Sequence, residues 1–225
     1  MLVSHPRPST AAPVRTISFV LLALAGPPAF VMVTDRLLGT SPALGVQIAE
    51  QVAYCALAAA LSWTALRRER TSLASIGLRR PTWHTVLLAA GIFLVVQFVL
   101  PVITTPVLQF FGNAGVAAGV QRLAIVPVWL RLVMAVTGGA IEEMLYRGYA
   151  TSRLVEMTGS RWRGGVVAAL AFGLAHIPAW GSGFALAADL PFGVVMTVVF
   201  LWRRDLAANI LAHSAALVVG LLALR

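Results

Sequence analysis

Charged residues are scarce in this chain. Only 11% of its 225 residues are charged, about half the share that a soluble domain carries. Cysteine is nearly absent, and the single Cys55 excludes a disulfide framework. Hydrophobic residues make up 59% of the chain, mean hydropathy is +0.87, and the apolar residues come in long blocks. The composition therefore excludes a soluble globular protein and indicates a single integral membrane domain, residues 1–225.

A helix needs about 20 predominantly apolar residues to cross a bilayer. By that measure the sequence predicts an all-α fold, a polytopic transmembrane helical bundle of about seven spans. The predicted spans are residues 17–34, 43–66, 84–107, 124–147, 165–177, 184–202 and 206–224. Residues 1–14 are predicted to form a short cytosolic tail. Residues 107–122 fit an extension of the third span, an interfacial helix or a segment that dips partway into the membrane.

Lysine is absent, so all seventeen basic residues are arginine. With seven spans and a cytosolic N-terminus, thirteen arginines fall on the inner side, the bias that the positive-inside rule predicts. The other four are Arg36, Arg122, Arg131 and Arg225. The net charge of +9 is then explained by topology and by contact with the lipid bilayer, and nucleic-acid binding is not expected. The predicted location is the inner (cytoplasmic) membrane, and the arginine- and alanine-rich composition is typical of a bacterial chain.

Two adjacent carboxylates, Glu142 and Glu143, follow the apolar run 124–140 and precede Arg147. An ionisable side chain inside the bilayer costs about 2.5–3.5 kcal/mol, so such residues tend to face a cavity or a partner. The helix is expected to continue past Arg147 and to end at Gly159. Two interpretations of this motif stay open, an i,i+4 ion pair between Glu143 and Arg147 at the membrane surface and a functional site.

Two further polar motifs lie in later spans. The stretch FGLAH places Phe172 and His176 on one helix face, and NILAH does the same for Asn209 and His213. A lone histidine in a span is more often a hydrogen-bonded core residue. Two histidines and a carboxylate pair on three separate helices instead indicate one polar cavity within a bundle.

The order E-E-x-x-x-R, F-x-x-x-H and a late histidine resembles the CAAX prenyl protease and bacteriocin-processing family of intramembrane proteases, also called the CPBP or Abi family. The resemblance covers residues 124–225. It implies an endopeptidase that cleaves a peptide or membrane-protein substrate near the cytosolic face. Prenylated substrates are not expected, because the composition is typical of a bacterial chain. It also implies that Glu142 activates water, that His176 helps to hold that water, that Glu143 and Arg147 support Glu142, and that His213 faces the developing oxyanion.

The chain departs from the family pattern at Leu217, where an asparagine commonly follows the last histidine as H-x-x-x-N. Asn209 lies one turn before His213 on the same face. It is predicted either to supply the missing donor or to bond a neighbouring helix. The alternative function is a non-catalytic membrane scaffold or bacteriocin-immunity protein on the same fold. A small proton-coupled transporter is disfavoured, because the polar residues cluster in one half and no inverted repeat is found.

No cofactor is expected. Glu142, His176 and His213 are nevertheless a suitable ligand set for zinc or another divalent metal. The chain contains no H-E-x-x-H motif, and water activation by a glutamate without metal is the preferred interpretation. Glu50 and Gln51 are predicted to bond across the bundle, and Asp189 to lie near the outer interface.

Overall fold

A computed structural model describes residues 14–40, 43–111 and 114–224 of the chain. These residues form eight helices, one short 3₁₀ turn at Leu73–Ile76 and no strand, which confirms the all-α fold class. The helices are α1 (Val14–Leu38), α2 (Leu44–Arg68), α3 (Trp83–Phe111), α4 (Ala114–Ala124), α5 (Val128–Thr158), α6 (Arg161–Ala175), α7 (Ile177–Arg203) and α8 (Leu206–Leu222). Most of the predicted N-terminal tail, residues 1–13, lies outside the described residues.

Every predicted span coincides with a helix. By length and composition α1, α2, α3 and α7 can each cross a membrane, and α4 with α5, bent by 120°, gives a fifth candidate. Helices α6 and α8 have 15 and 17 residues, fewer than the roughly 20 that a full crossing needs. The protein is therefore a multi-pass membrane bundle with four to five candidate spans among the described residues, and the count of seven stays a prediction.

Residues 107–122, ambiguous from the sequence, divide between two helices. The third span extends to Phe111, and the separate helix α4 then precedes the bend at Pro127. Gly119 of α4 lies directly against Trp180 of α7, because an added Cβ at Gly119 would come within 2.3 Å of the indole ring. Helix α4 is thereby packed onto the start of α7.

Several arginines join the ends of helices to one another. At one end Arg153 pairs with Glu69, and Arg204 donates to Ser152 Oγ and to the carbonyl oxygen of Ser75. At the other end Arg131 donates to the carbonyl oxygens of Leu221, in the last turn of α8, and of Leu224, just beyond it, and Arg122 pairs with Asp35. These contacts tie together the ends of helices that are far apart in the sequence.

Helix α5 changes its geometry at the two glutamates. It is α-helical to Glu142, π-helical over Glu143–Thr151 and α-helical again to Thr158. The hydroxyl of Thr151 donates to the carbonyl oxygen of Tyr146, five residues earlier, at 2.7 Å, which supports the wider turn. Gly159, with φ at 63°, ends the helix as predicted. Wide turns of this kind occur frequently at functional sites.

Helix α8 packs against α5 and α3, and α7 packs against α6. The closest approach of α8 to α5 is at Gly139, where an added Cβ would lie 2.6 Å from Ser214 Oγ. Only a residue without a side chain fits there. This close crossing brings His213 beside the two glutamates that follow Gly139.

Candidate active site

Glu143 is the centre of a buried hydrogen-bond cluster. Its Oε1 accepts from Arg147 Nη1 at 2.9 Å and from His213 Nδ1 at 2.9 Å, and its Oε2 accepts from Asn209 Nδ2 at 3.1 Å. The side chain of Glu143 is 0% exposed and that of Arg147 1% exposed. The guanidinium and amide nitrogens can only donate, so the geometry matches an ionised carboxylate. The cluster connects α5 to α8 and uses both oxygens of Glu143.

Phe172 explains why the histidine motif begins with an aromatic residue. The guanidinium carbon of Arg147 lies 3.9 Å from the centroid of the Phe172 ring, a cation–π contact. The carbonyl oxygen of the same residue lies 2.8 Å from His176 Nδ1. Arg147 Nη2 also donates to the carbonyl oxygen of Gly193 at 3.4 Å. Phe172 thus positions both the arginine and the first histidine.

Asn209 does not line the cavity, and its side chain bonds neighbouring helices. Its Nδ2 donates to Glu143 Oε2 and to the carbonyl oxygen of Met196, at 3.1 and 2.9 Å, and the residue is fully buried. Both amide hydrogens are therefore used. The structure favours the alternative that the sequence left open, in which Asn209 bonds a neighbouring helix.

Glu142 faces the two imidazoles instead of the arginine. Its Oε2 lies 3.7 Å from His176 Nε2 and 3.8 Å from His213 Nε2, too far for direct hydrogen bonds. The side chain is 20% exposed, whereas its neighbour Glu143 is fully buried. The adjacent carboxylates therefore have different environments, one enclosed by donors and one open to a cavity.

The hydrogen bonds of the two histidines determine which ring nitrogens carry protons. A carbonyl oxygen can only accept, so His176 Nδ1 must donate to Phe172. An ionised Glu143 likewise accepts from His213 Nδ1. In their neutral forms both rings then present an unprotonated Nε2 towards Glu142. Three hydrogen-bond acceptors, the two Nε2 atoms and the Glu142 carboxylate, therefore face one another.

A cavity of about 640 Å³ opens beside Glu142, a size typical of ligand-binding pockets. Its lining includes His176, which lies between α6 and α7, and His213 and Leu217 of α8. A smaller cavity of about 170 Å³ shares Glu142 and His176 with it. The structure brings together all six residues predicted for the site: Glu142, His176 and His213 line the cavity, and Glu143, Arg147 and Asn209 are buried behind them. Their chemical roles stay predictions.

Three residues line this cavity that the sequence assigned elsewhere or left unassigned. Asp189 was expected near the outer interface but lies in the π-helical turn Ala185–Asp189, with Oδ2 buried and without a hydrogen-bond partner among the described residues. Glu50 was expected to bond across the bundle; its Oε1 is buried without such a partner, and the residue lines the cavity. Tyr54 belongs to no sequence motif, and it lines both cavities. The sequence indicates its position only through its spacing of four residues from Glu50, which places both residues on one face of α2.

Glu142, His176 and His213 are residue types that bind zinc, but their side-chain ligand atoms lie further apart than zinc ligands do. Ligand atoms around tetrahedral zinc lie about 3.3 Å apart, whereas Glu142 Oε2 is 3.7 and 3.8 Å from the two Nε2 atoms. No group of three or more His, Cys, Asp or Glu side chains in the described part of the chain is placed to hold a metal ion. We therefore derive no step through a metal, and metal dependence stays open to test.

Residues 124–219 match the model of a protein family described as Type II CAAX prenyl endopeptidase Rce1-like. The match confirms the resemblance on which the site was predicted. It contains all of the predicted site residues and ends within α8, and it leaves α1–α3 unmatched. No curated protein and no solved structure matches the chain.

Proposed function

We propose that this protein is an intramembrane endopeptidase that uses Glu142 to activate water. The match of residues 124–219 to the Type II CAAX prenyl endopeptidase Rce1-like family supports this proposal. The observation that carries the proposal is the unequal environment of the two glutamates. Glu143 has both oxygens bonded by donors, whereas Glu142 lies at the cavity opposite two imidazole Nε2 atoms. Only Glu142 is free to accept a proton.

The proposed reaction begins with a water molecule between Glu142, His176 and His213. The water donates one hydrogen bond to Glu142 and the other to Nε2 of His176 or His213, so a lone pair on its oxygen points at the substrate carbonyl carbon. Glu142 takes one proton as the new C–O bond forms. It then returns that proton to the leaving amine as the C–N bond breaks, so protons and charges balance. A carboxylate with little water around it is a stronger base than one in bulk solvent.

Glu143, Arg147 and Asn209 have supporting roles in this proposal. Glu143 orients His213 through its Nδ1–H, as a carboxylate orients the histidine in a catalytic triad. Arg147 compensates the charge of Glu143 and keeps that carboxylate from competing for the proton. In this proposal Nε2 of His213 holds the water, which differs from the oxyanion role that the family resemblance implies.

The substrate proposed is a peptide or a segment of a membrane protein. The cavity walls are mostly apolar, with Val, Leu, Ile and Phe side chains from six helices, which suits a chain segment that enters from the bilayer. We place the protein in the inner membrane with its N-terminus in the cytosol, on the strength of the arginine distribution. The non-catalytic scaffold is supported by one observation, the apolar Leu217 in the cavity wall.

The test is hydrolysis of a library of synthetic peptides, some carrying a prenylated cysteine, by purified protein in ¹⁸O-labelled water. We expect new carboxyl termini that contain ¹⁸O with the wild type and not with Glu142→Gln. Glu156→Gln is the matched control, because that side chain is 62% exposed and lies outside the cavity. Absence of any cleavage by a folded wild type would favour the scaffold. Cleavage that survives Glu142→Gln would remove Glu142 from the mechanism.

A further inference from the structure

Peptide hydrolysis places negative charge on the substrate carbonyl oxygen, and that charge needs a hydrogen-bond donor. The cluster around Glu142 supplies none in its resting form. In the neutral rings, Nε2 of His176 and of His213 is an acceptor, since each Nδ1 carries the proton. Asn209 has both amide hydrogens bonded, and Leu217 has no polar atom. The donor must come from another wall of the cavity.

The chain has three tyrosines, and the hydroxyls of two of them are bonded to other residues. Tyr146 donates to the carbonyl oxygen of Leu24 at 2.8 Å, and Tyr149 donates to Glu69 Oε1 at 2.6 Å. Tyr54 makes no hydrogen bond with any described residue and lines both cavities beside Glu142. The hydroxyl of Tyr54 is thus a donor without an assigned acceptor.

Contacts on α2 hold Tyr54 in this position. One turn earlier, Gln51 Nε2 donates to Thr137 Oγ1 of α5 at 2.7 Å, which ties α2 to the helix that carries Glu142. The ring of Tyr54 packs against Phe30 of α1, with the ring centroids 5.6 Å apart. Tyr54 and Glu142 line the same two cavities. The ring of Tyr54 is therefore held in the wall that the proposed base also lines.

We propose that Tyr54 donates its hydroxyl hydrogen to the carbonyl oxygen of the substrate as that oxygen becomes negative. The proposal rests on the proposed function. No proton is transferred: the O–H of Tyr54 stays intact, and the hydrogen bond shortens as charge develops. A phenol suits this task because it is neutral, so placing it in a low-dielectric cavity avoids the cost of burying a charge. Helix α2, outside residues 124–219, would then contribute a catalytic residue.

The experiment compares Tyr54→Phe with Tyr149→Phe, the same loss of one hydroxyl outside the cavity. The substrate is the peptide of the library that the wild type cleaves fastest. For Tyr54→Phe we expect kcat to fall about 100-fold, as removal of one oxyanion donor does elsewhere, with KM and Tm unchanged. For Tyr149→Phe we expect unchanged kcat and a lower Tm, because Glu69 loses a hydrogen bond.

A phosphonate analogue of the same peptide separates catalysis from folding, because its charged oxygens mimic the tetrahedral intermediate. Its Kd should weaken for Tyr54→Phe by the same factor as kcat/KM falls. Normal kcat for Tyr54→Phe, with Glu142→Gln inactive, would overturn the role of Tyr54 and leave the proposed function standing. A fall in kcat that is accompanied by a large fall in Tm would show that Tyr54 has a structural role instead. A wild type that cleaves nothing would refute the proposed function and this role with it.

Discussion

The ion pair between Glu143 and Arg147 gives a stability prediction that the structure makes quantitative. The two charges are 2.9 Å apart with side chains 0% and 1% exposed, a separation worth about 6 kcal/mol at an effective dielectric constant of 20. The net value is smaller, because His213 and Asn209 also donate to Glu143. We therefore expect Arg147→Met to lower the free energy of unfolding by about 3–5 kcal/mol, since it leaves a buried carboxylate without a compensating charge.

A double-mutant cycle with Glu143→Gln isolates the pair. Each single variant leaves one buried charge, whereas the double variant leaves none, so the double loss should be smaller than the sum of single losses by at least about 2 kcal/mol. Reversible unfolding in mixed detergent micelles measures these values. Arg122→Met is the control, because its partner Asp35 is 19% exposed and the expected loss is only about 0–1 kcal/mol. Additive losses at Glu143 and Arg147 would refute the reasoning.

Three further predictions follow from the site and the topology. Turnover should survive strong chelators, and stoichiometric zinc with loss on chelation and recovery on readdition would establish a metal enzyme instead. A reporter active only in the cytosol should be silent when fused after Arg225, and a strong signal would exclude an odd number of spans. Asn209→Leu should lower stability by about 1–3 kcal/mol, because Glu143 Oε2 and the carbonyl of Met196 lose their donor; an unchanged unfolding free energy would contradict this.

Features that depend on sequence-local chemistry could be predicted well. Apolar runs locate the helices, and Gly159 ends α5 because a left-handed residue terminates a helix. The pair Glu143–Arg147 follows from i,i+4 spacing, and it is present. The polar residues on three helices meet at one cavity, as a bundle that buries ionisable groups requires.

Features that depend on the rotation of one helix against another could not be predicted. Whether Asn209 points at the cavity or at Glu143 depends on how α8 crosses α5, which Gly139 determines through its contact with Ser214. Asp189 ends a π-helical turn and lines the cavity, and the sequence shows no clear sign of that turn. Tyr54 lies outside the family motifs and is placed by packing alone.

The same two glutamates test the central claim most directly, through kcat and Tm measured side by side for Glu142→Gln and Glu143→Gln. We predict that Glu142→Gln lowers kcat by about a hundred- to ten-thousandfold with Tm unchanged, since it removes only a base at an open cavity. Glu143→Gln should lower Tm strongly, because it leaves Arg147 buried without its anion. Full turnover by Glu142→Gln, or equal losses of Tm in both variants, would contradict the claim that Glu142 is the base and Glu143 the buried partner of Arg147.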